Sequence, residues 1–126
     1  MDWEGIAIHH SASPDVSVNE IDKWHKERGW QGVGYHFVVR KNGNIEPGRS
    51  LEKQGAHAKG RNKTHIGVCL TGDFTKDIAR LNQICSAVRL INGLMESFDI
   101  DKNKVEEHHG NCPGDNILNL IKSYIN

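Results

Sequence analysis

Residues Ile66-Gly67-Val68-Cys69-Leu70 form an almost continuous apolar run. A run of this length without polar alternation is what a central strand buried on both faces looks like. A sheet covered on both faces needs helices on each side, and the rest of the chain supplies them. From Ile78 to Phe98 apolar residues fall at 78, 81, 84, 85, 88, 91, 94, 95 and 98, a period near 3.6 that predicts an amphipathic helix. Ser17-Val18-Asn19-Glu20 has the capping-box pattern, Ile21, Trp24 and His25 follow at helical spacing, and Gly29 is placed as a C-terminal stop. This predicts a helix over about 18–28. A last helix, capped by Asp115 or Asn116, carries Ile117, Leu118, Ile121 and Tyr124.

The remaining strands are shorter. Gly5–His10 alternates around Ile6 and Ile8, and Val33 to Lys41 reads as a strand. Asn42-Gly43 is a strong hairpin signal, with a return strand over Asn44 to Pro47. Lys104-Val105-Glu106 reads as a short edge strand. The order β, α, β-hairpin, β, long α, short β, α predicts an α/β fold, a three-layer domain with a central mixed sheet flanked by helices. Residues 48–64, rich in Gly, Lys and His, read as a long surface loop of the kind that carries function. No repeat or linker divides the 126 residues, so one domain is expected over 1–126, without a separate second module.

Composition narrows the function classes. Lys plus Arg and Asp plus Glu are both 16, and a net charge of zero speaks against a general nucleic-acid binder. No apolar run reaches membrane-spanning length, and the N-terminal Met1-Asp2-Trp3-Glu4 lacks signal-peptide character. Synthesis in the cytoplasm without membrane insertion is therefore expected. Three cysteines do not make a disulfide framework, and Cys69 and Cys85 are expected to be buried packing residues. Eight histidines in this length suggest metal or acid–base chemistry.

His9 and His10 end the first strand, where period-2 geometry sends only one of them to any given face. Residues 108–114, His-His-Gly-Asn-Cys-Pro-Gly, place a His and Cys112 close together in a Gly/Pro loop. A His from the first strand with a His and a Cys from this loop makes an N/N/S set that leaves one tetrahedral position open. That is the arrangement of a catalytic zinc. Spacing alone allows either His108 or His109. The loop Gly55-Ala56-His57-Ala58-Lys59-Gly60 is basic and Gly-flanked but lacks the spacing of a phosphate loop.

The segments IHHSAS, WHKERGW, VGYHFVVRKNGNIEPGR, GAHAKG, IGVCLTGDF and CPG, in this order, resemble the type 2 N-acetylmuramoyl-L-alanine amidases. These are the zinc amidases related to the lysozyme of the T-odd coliphages, and they share their fold with animal peptidoglycan recognition proteins. The resemblance covers about Gly5 to Asp115. It implies one zinc ion held by His9, His108 and Cys112, catalysis by Tyr35, and cleavage of the amide between N-acetylmuramic acid and L-alanine in peptidoglycan. His36, His57, Lys59 and His109 are expected to bind substrate. One departure stands out: the loop before Cys112 is four residues shorter than usual for the family, and Gly110 occupies the position of a catalytic Lys. The resemblance implies a monomeric phage or prophage endolysin, made in the cytoplasm, released to the cell wall, in one scheme by a holin. A non-hydrolytic peptidoglycan-binding module and a cytosolic wall-recycling amidase are the alternatives.

Overall fold

The computed structural model describes residues 1–126. Five strands and three helices follow one another as β1 (Gly5–His10), α1 (Val18–Glu27), β2 (Phe37–Val39), β3 (Ile45–Pro47), β4 (His65–Leu70), α2 (Leu81–Phe98), β5 (Val105–Glu107) and α3 (Asp115–Tyr124). The sheet order is β3-β2-β4-β1-β5, with β3 antiparallel to β2 and every other pair parallel. β4 is central, and all six of its residues are buried, as its apolar run requires.

Period-2 alternation sorts the strand residues into two layers. Ile6 and Ile8 of β1, Val39 of β2, and Ile66, Val68 and Leu70 of β4 pack with Ile84, Ala87, Ile91 and Leu94 of α2 and Ile117 and Ile121 of α3. Val38 points the other way and joins Ile21 of α1 and Val33. The result is the expected three-layer α/β domain. The α1 face of the two central strands carries His9 on β1 and Gly67 and Cys69 on β4 instead of large aliphatic side chains. Room for a site is thus left on one side of the sheet only.

Local signals account for most element ends. Ser17 Oγ accepts from the Glu20 N–H at 3.2 Å and starts α1. Gly29, at φ +85°, ends it, with Trp30 N–H donating back to the His25 carbonyl at 3.1 Å. Gly43, at φ +92°, turns the hairpin between β2 and β3.

Five expectations need correction. α2 begins at Leu81, not Ile78: Arg80 is extended, and Ile78 is 93% exposed. The strand expected over Val33 to Lys41 shrinks to Phe37–Val39, because the carbonyls of Gly34, Tyr35 and His36 accept from Ala56, Arg49 and Gly48 of the long loop. β5 begins one residue later than expected, since Lys104 belongs to a 3-10 turn. Cys85 is exposed on α2 beside Leu81 and Val88, whereas Cys69 is buried. At α3 the residue before the helix is Gly114, without a side-chain cap, and Asp115 sits in the first turn. No helix is long and apolar enough to cross a membrane.

Candidate metal centre

β1 delivers His9 to the α1 face of the sheet, and its neighbour His10 to the other. The His10 ring stacks on Phe74 with centroids 6.1 Å apart, and its Nδ1 accepts from the Phe74 N–H at 3.1 Å. His10 is therefore engaged in packing, while His9, 1% exposed, faces the gap beside α1.

The parity of β5 separates the neighbouring histidines. Val105 is fully buried in the helix-side core, so Glu106 and His108 share the opposite face. His108 N–H continues the parallel ladder by donating to the Ile8 carbonyl at 3.1 Å. Its ring lies 4.5 Å from that of His9. His109 is exposed and opens instead beside Glu106, Leu118 and Lys122.

The short loop brings the sulfur back. His109 and Cys112 exchange backbone hydrogen bonds at 3.0 and 2.8 Å around Gly110-Asn111. The Cys112 Sγ accepts from the His10 N–H at 3.4 Å and lies 3.9 Å from His9 Nδ1. One donor atom from each of His9, His108 and Cys112 falls within 4.8 Å of the others. Two ligands of a tetrahedral zinc stand about 3.5 Å apart when one is sulfur and one nitrogen, so this cluster has the scale of a single-ion site.

Electrostatics agree with a site built for a cation ligand set. Burial pushes His9 well below the usual imidazole range, helped by His57 and His108. His108 is lowered by burial and then by His109. Both rings are thus kept neutral, with a lone pair to offer. Burial raises the Cys112 thiol, a penalty that a bound cation offsets.

The candidate catalytic residue and the four candidate substrate-binding residues separate clearly. Tyr35 stands against the metal centre, its ring 5.0 Å from His9. Burial pushes its phenol well above 10, with Cys69 and Cys112 adding to the rise. Lys59 is exposed and shares with Tyr35, His57, His108 and Arg28 the wall of a cavity of about 510 Å³. That cavity runs past Trp30 and Asn62 into a larger cleft of about 830 Å³. His36 is not available to a ligand: it is 1% exposed, with Nε2 at 2.9 Å from the Lys53 carbonyl and Nδ1 accepting from Gly67 N–H. Both ring nitrogens of His57 are also engaged, with His9 and with the His65 carbonyl. His109 lies outside the Tyr35 cavity.

The family model for N-acetylmuramoyl-L-alanine amidase matches residues 1–115. The chain belongs to that amidase family. The endolysin of Enterobacteria phage K11 is 39% identical over 112 residues, which is 84% of this chain and 74% of that protein. The endolysin of Escherichia phage T7 is 50% identical over 72 residues, 55% of this chain and 48% of that one. Among solved structures, N-acetylmuramoyl-L-alanine amidase LysC from Clostridium intestinale has a TM-score of 0.91 at 33% identity, covering 98% of this chain and 85% of that chain. The amidase is therefore a hydrolase of peptidoglycan.

Several residues around the amidase centre escaped the sequence reading. Arg61 donates to the carbonyls of Glu107 and His108 at 3.0 and 2.6 Å. Asn62 Oδ1 accepts from the N–H groups of His57 and Ala58 at 2.7 and 2.8 Å. His25 Nδ1 accepts from Gly34 N–H at 2.9 Å and ties α1 to the segment before β2 that bears Tyr35. The Arg61 contacts reach across 46 and 47 residues, whereas those of Asn62 and His25 span four to nine residues in turns that no motif spacing announces. Arg28 and Trp30, which line the cleft, do lie within the WHKERGW segment.

Proposed function

We propose that this amidase uses a single zinc ion, held by His9, His108 and Cys112, to hydrolyse the amide between the lactyl group of N-acetylmuramic acid and L-alanine. The observation that carries this reading is the meeting of three N/N/S donor atoms from β1 and the β5–α3 loop beside a cleft that Tyr35 also lines. Zinc with three protein ligands supplies Lewis acidity toward a carbonyl oxygen and toward water.

The chain's own groups do the rest. Tyr35, held as a neutral phenol by burial, donates its O–H to the oxygen that gains charge as the amide carbonyl is attacked. A phenol with so high a pKa is a hydrogen-bond donor and a poor base at neutral pH. Water adds its oxygen to the carbonyl carbon, the C–N bond breaks, and the proton released by the water ends on the alanine nitrogen. Gly110 offers no side chain where the family places a lysine. Lys59 and Arg28 are the cations at the wall of the Tyr35 cavity and take over the attraction of anionic groups on the wall polymer. The peptidoglycan chain lies along the continuous cleft past Trp30, and residues 1–126 work as one catalytic unit. The biological setting we propose is a monomeric phage or prophage endolysin that reaches the wall from the cytoplasm after release by a holin.

The test is digestion of purified peptidoglycan with product masses read before and after zinc removal. New N-terminal L-alanine with intact glycan strands, lost on chelation and restored by zinc, is the expected result. Glycan cleavage, or activity indifferent to chelation, would contradict the proposal.

A further inference from the structure

His57 stands between the metal centre and the backbone. Its Nδ1 is 2.9 Å from His9 Nε2, and its Nε2 is 2.9 Å from the His65 carbonyl oxygen. A carbonyl oxygen only accepts, so His57 Nε2 carries the hydrogen. A neutral imidazole has one N–H, so His57 Nδ1 is a lone pair and accepts from His9 Nε2–H. In neutral His9 the remaining lone pair is then on Nδ1, the atom 3.9 Å from Cys112 Sγ.

We infer that His57 is a positioning residue that locks His9 in the tautomer whose Nδ1 lone pair faces Cys112 and His108. The lock concerns His9 itself, and only its purpose rests on the zinc reading above. The chain is shaped around this ring. A Cβ on Gly67 would come within 2.7 Å of the His57 ring, and a Cβ on Gly55 would collide with its Cδ2. Asn62 Oδ1 clamps the backbone N–H of His57 and of Ala58. Partners that orient a metal-binding imidazole in this way are worth roughly 10–100-fold in metal affinity.

Two variants separate the lock from mere packing. His57→Phe fills the space without an acceptor, and His57→Asn presents an oxygen near the place of Nδ1. The first readout is the long-range proton–nitrogen NMR spectrum of the zinc-free protein with ¹⁵N-labelled histidine. His9 is expected to show a protonated Nε2 and an unprotonated Nδ1 in the wild type and in His57→Asn, and a mixture of tautomers in His57→Phe. The second readout is zinc affinity by competition with a chelating dye. His57→Phe is expected to bind roughly 10–100-fold more weakly than wild type, and His57→Asn to recover most of that loss. A wild-type His9 protonated on Nδ1 would overturn the inference, as would a His57→Phe protein with the wild-type His9 spectrum and zinc affinity. If His57→Phe does not fold, the wild-type and His57→Asn spectra decide. If the wild type takes up no zinc, the zinc reading falls while the His9 spectrum still tests the lock.

Discussion

The Arg61 guanidinium donates to the His108 carbonyl oxygen at 2.6 Å and to the Glu107 carbonyl at 3.0 Å, and pairs with Glu106 at 3.2 Å. A side chain from the long loop thus closes the end of β5, the edge strand that leads directly into His108, one of the three candidate donor groups. Charge-assisted hydrogen bonds of this kind are worth about 1.5–3 kcal/mol each. Arg61→Ala is expected to lower the thermal midpoint and weaken zinc binding together. Arg61→Lys, a point charge without the fork, should recover only part of both. Thermal unfolding and zinc titration on the same samples check this. A variant with normal zinc affinity would show that β5 holds His108 without the clamp.

Tyr35→Phe removes one hydroxyl and no packing volume. The loss of one transition-state hydrogen-bond donor typically costs about 10²–10³ in rate. Peptidoglycan digestion should fall by that factor while zinc content stays unchanged. An unaltered rate removes Tyr35 from the chemistry.

The cysteines are expected to divide by location. Cys112→Ser should lose zinc and activity, because a hydroxyl is a far weaker zinc donor than a thiolate. Cys85→Ala, at an exposed helix position, should match the wild type in rate. Cys69→Ala leaves a cavity in the fully buried β4 and should cost stability more than activity. Zinc analysis and unfolding curves read the two effects separately.

Acid should unfold the zinc-free protein early. Burial holds His57 at about 4 against an ordinary 6.5, and pushes His9, His36 and His25 down as well. The unfolded chain therefore takes up these protons first as the pH falls. Stability is full above about 6.5 and declines toward 4, by roughly 3 kcal/mol for His57 alone. Denaturant midpoints of zinc-free protein between pH 7.5 and 4.5 measure the slope. A flat profile would mean that these rings are protonated at little cost in the folded state.

Much of the frame was legible because its causes are local. The apolar run of β4, the Ser17 cap and the Gly43 turn each act over a few residues. The start of α2 was not: Ile78 continues the apolar period backward, and nothing in a period marks that Arg80 is extended. β2 was read too long because Tyr35 and His36 give their carbonyls to Arg49 and Gly48, partners set by tertiary folding. At the site, the opposite facing of His9 and His10 followed from strand alternation. His108 was legible by the same parity, once Val105 is known to face the core. His57 was noticed as a loop histidine, but its partner His9 lies 48 residues away, and only the glycines at 55 and 67 hint at the space it needs.

Elemental analysis of purified His108→Ala and His109→Ala proteins beside the wild type tests the central claim most directly. The wild type is expected to carry about one zinc per chain, His109→Ala to keep it, and His108→Ala to lose it, since His108 alone of the two joins His9 and Cys112. Loss of zinc from His109→Ala with retention in His108→Ala would contradict the metal centre described here.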